Sequence, residues 1–226
     1  SMKIGILQTG HAPNELLASI GDYDDMFRKF LDGHDFHFIT FDIENMGFPS
    51  GPAEADAWLI TGSRHGAYED LPFIAPLEVL IHAIVASNRP LIGVCFGHQI
   101  IAKAMGGKVE KFHGGWSIGN NEYTYQGKTI SLNAWHQDQV TKVPEGAKII
   151  GSSQFCKVAA LTYKDHIFSI QPHPEFDSTM IDALIQYRGS GIVPTEMLEE
   201  AKNKLNLTTN NADIAADMAA FLKRKA

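Results

Sequence analysis

The stretch Pro90-Leu91-Ile92-Gly93-Val94-Cys95-Phe96-Gly97-His98-Gln99 decides the fold. Pro90–Val94 is a compact apolar run, as expected of a parallel strand buried on both faces. Gly97–Met105 then has helical spacing and closes on Gly106-Gly107, a C-cap signal. Cys95 therefore sits at a sharp strand-to-helix turn. Such an elbow strains the backbone at its apex, and Gly93 and Gly97 remove side chains that would clash inside it. The thiol projects over a helix N-terminus, where the helix dipole favours a thiolate and free N–H groups can hold an oxyanion. A free cysteine is more often a small buried hydrophobe. The strand–Cys–helix context with a glycine on each side favours a nucleophile.

On the N-terminal side, strands and helices alternate. Lys3–Gln8, Asp35–Ile43 and Ala57–Thr61 read as strands, and Glu15–Leu31 and Phe73–Ser87 as helices. On the C-terminal side the rhythm changes. Lys108–Phe112, Ser117–Tyr125, Thr129–Trp135, Lys148–Ser152, Val158–Tyr163 and Ile167–Gln171 are separated by short polar turns, with no room for crossover helices. Asp177–Tyr187, Thr195–Leu205 and Ala212–Lys223 return to helix. The pattern predicts an α/β fold: a doubly wound, mostly parallel sheet with an added antiparallel section and C-terminal helices. The expected division is a domain over 2–188 and a helical extension over 189–226, packed on or next to it. In doubly wound sheets ligands bind at the carboxyl ends of the strands, which directs attention to the residues just after Thr61, Val94 and Gln171.

Composition narrows the function classes. The chain has 226 residues, 44% hydrophobic and 20% charged, enough for one large core and ordinary for a soluble globular protein. A net charge of −7 argues against nucleic-acid binding, which needs clustered Lys and Arg. The basic cluster Lys223-Arg224-Lys225 reads as a solvated tail. Ser1-Met2-Lys3 reads as a tag remnant before a native Met, and no leader pattern is seen. No apolar run approaches the ~18 residues of a membrane span, so a cytoplasmic protein without membrane contact is expected. The two cysteines, Cys95 and Cys156, do not make a disulfide framework, and no spacing suits a metal; Cys156 reads as structural.

A second motif, Gln171-Pro172-His173-Pro174-Glu175, directly succeeds a strand. Residues i and i+2 of an extended segment point the same way, so Glu175 lies beside His173, where a carboxylate can orient an imidazole and stabilise its cation. With ten histidines in the chain, one near a Glu carries weight only as a partner of Cys95.

Together, Gly-x-Cys-x-Gly-His-Gln and His-Pro-Glu, in this order and spacing, resemble the class I glutamine amidotransferase family over roughly residues 2–185. The resemblance implies the family's flavodoxin-like fold and a Cys95–His173–Glu175 triad. Cys95 would attack the γ-carboxamide carbon of glutamine or another γ-glutamyl compound and form a γ-glutamyl thioester that water hydrolyses. It implies oxyanion donors at the backbone N–H groups of Phe96 and the Gly62 region, although Gly62 fits a plain turn glycine equally well. Gln99 would contact the glutamyl backbone. Trp135-His136-Gln137-Asp138 resembles the family's substrate loop, with Asp138 pairing with the α-ammonium or standing as a solvated carboxylate. His98 reads as packing beside the elbow. No cofactor or metal is implied.

The run through Thr61-Gly62-Ser63-Arg64-His65-Gly66 and Tyr68-Glu69-Asp70 departs from many family members. It is similar to a stand-alone subfamily related to the glutaminase part of GMP synthase. Neither an ATP-pyrophosphatase loop nor a Gly-x-x-x-x-Gly-Lys loop is present, so no ATP chemistry is expected on this chain. Three readings are open: a glutaminase serving a partner synthase, a γ-glutamyl peptidase acting on glutathione-like conjugates, and a catalytically silent binding module. The expected ligand in the first two is a small γ-glutamyl molecule. The deciding pocket walls are expected on His11–Glu15, Arg64–Glu69 and His113–Ser117.

Overall fold

The computed structural model describes residues 1–224; Lys225 of the basic tail lies outside the described residues. In chain order the elements are β1 (Met2–Gln8), α1 (Tyr23–Phe30), β2 (Phe36–Asp42), β3 (Ala57–Ile60), α2 (Ile74–Ala86), β4 (Leu91–Val94), α3 (Phe96–Ala104), β5 (Lys108–Lys111), β6 (Ser117–Tyr125), β7 (Lys128–His136), β8 (Asp138–Lys142), β9 (Ala147–Ser152), β10 (Ala160–Tyr163), β11 (Ile167–Ile170), α4 (Ser178–Leu184), α5 (Thr195–Asn203) and α6 (Asn211–Leu222). Nine strands form one sheet in the order β2-β1-β3-β4-β11-β10-β9-β6-β7, while β5 and β8 pair apart from it. Neighbours from β2 to β11 are parallel, and those from β11 to β7 are antiparallel. This is the predicted doubly wound sheet with its antiparallel section.

Strand alternation builds a core on each face. Ile4 and Ile6 of β1, Ala57 and Leu59 of β3, and Ile92 and Val94 of β4 pack with Phe27 of α1 and Ile214, Met218 and Phe221 of α6. Their alternates Leu7, Trp58, Ile60 and Leu91 pack with Leu77, Ile81 and Ile84 of α2 and Ile100 and Ile101 of α3. The C-terminal helix thus contributes directly to one of the two cores. α5 approaches β6 at Gly119, where an added Cβ would meet the Ala201 Cβ at 2.9 Å. Among the described residues no helix is long and apolar enough to cross a membrane.

Two expectations need correction. Glu15–Leu31 is not one helix. A 3-10 turn covers Asn14–Leu16, Gly21 takes φ +95°, and α1 starts afresh behind a capping box of Asp22 with Asp25. Asp22 outweighs the helical spacing because its carboxylate supplies the acceptor that an N-terminus lacks. The segment around Asp138 is not a loop. His136 ends β7 and Asp138 begins β8, which pairs with β5; this strand shows little apolar alternation in the sequence.

Asp22 also carries a longer-range contact. Nδ1 of His11 lies 2.6 Å from Asp22 and Nε2 lies 3.0 Å from Asp42. Burial works against a charge on the ring, but the hydrogen bonds and charges of the two carboxylates outweigh it and raise the pKa. A raised pKa in the folded state means the charged imidazole stabilises the fold fully below its unfolded pKa of about 6.5. That contribution is lost as pH rises through the higher folded value. Urea midpoints measured from pH 6 upward should therefore fall more steeply for the wild type than for His11→Gln, and parallel curves would show that the pair contributes nothing.

The elbow has its own steric signature. A Cβ on Gly93 would lie 2.5 Å from the backbone of Gly97, and one on Gly97 would lie 2.4 Å from the Ile60 carbonyl oxygen. Backbone atoms in the sheet cannot yield as a flexible side chain can. Gly97→Ala should cost about 1–3 kcal/mol in denaturant unfolding, the range for overpacking.

Candidate active site

Three carboxyl strand ends converge. β4 runs directly into Cys95, which has φ 55° and ψ −105°, a conformation that costs a non-glycine residue energy and persists only where the surroundings impose it. They do so here: the Cys95 N–H donates to the Ile170 carbonyl (2.9 Å), and the Gln99 N–H returns to the Cys95 carbonyl (3.1 Å). The Phe96 N–H, at the first turn of α3, has no partner within the helix. β11 runs parallel to β4, with Ile170 opposite Val94, and delivers Gln171 and His173 next to the thiol. Gln171 Nε2 lies 3.5 Å from Cys95 Sγ.

His173 is fixed on several sides. Its N–H donates to the Asn133 carbonyl at 2.8 Å, and its ring stacks on Phe176 at 3.9 Å between centroids, tilted by 4°. Nδ1 lies 2.8 Å from Glu175 Oε2, with both side chains almost wholly buried. Burial alone would lower the His173 pKa, but the Glu175 carboxylate and the Cys95 sulfur outweigh it and lift it to about 10. This favours an imidazolium at neutral pH. Gly62, just past β3, borders the pair: an added Cβ would sit 2.9 Å from His173 Cε1 and 3.8 Å from Cys95 Cβ. The Gly62 carbonyl accepts from the hydroxyls of Thr9 (3.1 Å) and Thr61 (3.0 Å), which set the orientation of this turn.

A cavity of about 490 Å³ opens over these residues. Gln99, His136 and Asp138 line it together with Gly62, Cys95 and His173; of the expected catalytic, oxyanion and substrate-binding residues, Phe96, which packs in the core, and Glu175, which reaches the site through His173 Nδ1, do not. Gln99 Nε2 donates to the Asp138 carbonyl (3.0 Å) and to Gln171 Oε1 (3.1 Å). His136 is buried, and burial lowers its pKa to about 4, so the ring is neutral. Its Nδ1 lies 3.0 Å from the Asp138 carbonyl, an acceptor only, so Nδ1 carries the proton and the unpartnered, buried Nε2 presents a lone pair. Asp138 accepts from the Tyr68 hydroxyl at 3.0 Å, and burial raises its pKa against the opposing effects of Tyr68 and Lys111. His98 lies behind the elbow, 2.7 Å from Ser169 Oγ and 3.0 Å from the Val158 carbonyl. Burial keeps it neutral, with a pKa of about 3.

Several lining residues escaped sequence reasoning. Tyr23, Phe176 and Arg188 belong to segments read only as helix or spacer. Phe176 adjoins the His-Pro-Glu motif, and an aromatic there was the one available signal. Of the three wall segments expected, Arg64–Glu69 lines the cavity directly, as does Trp116. From the first segment His11 takes part indirectly, its carbonyl accepting from Arg188 Nη2 at 2.9 Å.

The fold and this constellation define a class, and comparison with known proteins agrees. The family model for glutamine amidotransferase class-I matches residues 56–188, more than half of the chain. The chain belongs to the class I glutamine amidotransferase family. It is 28% identical to gamma-glutamyl peptidase 4 of Arabidopsis thaliana, over 85% of this chain and 83% of that protein. It is 30% identical to a glutamine-hydrolyzing GMP synthase subunit of Sulfurisphaera tokodaii, over 66% of this chain and 88% of that one. Among solved structures, a glutamine amido transferase from Methylobacillus flagellatus superposes with a TM-score of 0.78 at 23% identity, covering 98% of this chain and 92% of that one, and shares the fold.

The two thiols differ in surroundings. Cys156 is buried away from the cavity, and burial pushes its pKa to about 12. Cys95 lines the cavity. Brief iodoacetamide treatment of the native protein should label Cys95 alone by peptide mass spectrometry; labelling at Cys156 with equal speed would contradict this assignment.

Proposed function

We propose that the protein hydrolyses γ-glutamyl amide bonds through a γ-glutamyl thioester on Cys95, with His173 and Glu175 completing a catalytic triad. The observation that carries this reading is the junction of Cys95, at a positive φ above a free helix N-terminus, with a His173 ring locked between Phe176 and Glu175. The His173 imidazolium already carries the proton drawn from the Cys95 thiol, and the sulfur attacks the γ-carbonyl carbon. The backbone N–H groups of Phe96 and Gly62 receive the developing oxyanion. As the C–N bond breaks, His173 returns the proton to the departing nitrogen. Water then attacks the thioester, its proton going to His173 and on to sulfur, and glutamate leaves. Glu175 holds the imidazole tautomer and stabilises its cation throughout.

The substrate residues take complementary roles. Asp138 receives the α-ammonium, the lone pair on His136 Nε2 accepts a substrate N–H, and the Gln99 side chain supports the glutamyl backbone from the cavity floor. Two leaving groups fit this chemistry. Ammonia would make the protein a glutaminase serving a partner synthase. A larger amine would make it a γ-glutamyl peptidase. A cavity of about 490 Å³ with an open side favours the larger amine.

Glutamate release from glutamine, γ-glutamyl dipeptides and glutathione distinguishes these readings. Cys95→Ala should lose at least about 10³-fold in kcat on every substrate turned over while keeping the wild-type unfolding midpoint. Turnover of glutamine alone would support the glutaminase reading, and no turnover at all would leave a silent binding module. Glu175→Gln removes the main charge that raises the His173 pKa. Its imidazole should titrate at lower pH by NMR than in the wild type, with activity falling in parallel.

A further inference from the structure

The cavity wall is electrically divided. On one side stand Asp138, Tyr68, Glu69 and Lys111; the charges that act on Asp138 come from Lys111 and Glu69. On another side stand Tyr23 and Arg188, and Tyr23 lies within the electrostatic reach of both Arg188 and Cys95. Arg188 sits just past α4, half-buried. Its Nη1 donates to the Tyr23 hydroxyl at 3.0 Å and its Nη2 to the His11 carbonyl at 2.9 Å. Both partners are uncharged oxygens. Among the described residues no carboxylate lies within ion-pair distance of this guanidinium. Two bonds hold it in place and leave the rest of its five donors for something else.

A fixed, permanently charged and unpaired guanidinium on the wall of a reaction cavity suits a carboxylate, which it can grip with two parallel bonds. The glutamyl α-carboxylate is already provided for. It shares a carbon with the α-ammonium, so once Asp138 takes the ammonium the carboxylate lies on the Asp138 side, where Lys111 supplies a cation. Arg188 is left for the part of the substrate beyond the scissile bond. We propose that Arg188 binds a carboxylate carried by the leaving amine, so that the preferred substrates are γ-glutamyl conjugates of amino acids or short peptides rather than glutamine. This inference rests on the hydrolytic reading above and names its substrate class.

A matched pair of substrates tests it: γ-glutamylglycine and γ-glutamylglycinamide, which differ by one negative charge on the leaving amine. The wild type should favour the acid by about 10- to 100-fold in kcat/KM, the range of a charge-assisted hydrogen-bond pair, mostly through KM. In Arg188→Gln the acid-to-amide ratio should collapse toward one, whatever both rates do, and Arg188→Lys should restore part of it. Because the readout is a ratio within one variant, any disturbance of the Tyr23 and His11 contacts cancels. A wild type without preference, or a variant that loses equally on both compounds, overturns the assignment. Calorimetric binding of the same pair to Cys95→Ala, with and without Arg188→Gln, separates this proposal from the chemistry. Arg188-dependent preference for the acid in a protein that hydrolyses neither compound would uphold the subsite and reject the hydrolase. Equal or absent binding of acid and amide would reject the subsite.

Discussion

The geometry of the site depends on one backbone constraint: the β4–α3 elbow must hold Cys95 at a positive φ. A non-glycine residue takes that conformation only under pressure from its surroundings. The pressure comes from both ends of the turn. β4 is clamped between β3 and β11, and α3 is drawn so close to the sheet that Gly97 touches the backbone of β3. The same closeness that strains Cys95 places its sulfur over the helix N-terminus and leaves the first N–H of α3 free.

From that elbow the site is assembled by sheet register. Parallel pairing of β11 with β4 fixes where His173 emerges, and parallel pairing of β3 with β4 fixes where Gly62 turns. The antiparallel half of the sheet has a second use: the end of β7 supplies Asn133, whose carbonyl holds the His173 N–H, and then His136. The strand-rich C-terminal half therefore helps to hold the His173 side of the cavity. The neutral His136, the charged His173 and the buried His98 show how environment separates three identical side chains. Burial outweighs the backbone carbonyl that each ring faces at His98 and His136, while an adjacent carboxylate reverses its effect at His173.

Class membership does not by itself fix a substrate. Relatives named γ-glutamyl peptidase and GMP synthase subunit lie at similar identity. The difference must lie on the walls, in segments such as Arg64–Glu69 and the turn after α4, which carry side chains without altering the fold.

Residues adjacent along the chain were legible without coordinates. Pro90–Gln99 declared a strand, a turn and a helix because apolar run, glycine placement and helical spacing are local properties. Pro172–Glu175 declared a His–Glu pair because alternate residues of an extended segment share a side. The parallel-then-antiparallel sheet could be read from whether helices fit between strands. What the sequence did not declare are the contacts between distant segments and the places where a local polar group overrides periodicity. Asp22 breaks a helix that spacing alone would continue, and β8 has too few apolar residues to announce itself. Phe176 beneath His173, the lone pair on His136 and the unpaired charge of Arg188 exist only once β7, β11, α1 and α4 meet. The sequence by itself determined which residues could do chemistry, because that depends on their type and near neighbours. Only the tertiary structure decided which faces and charges those residues meet, because burial and partner distance are set by packing across the sheet.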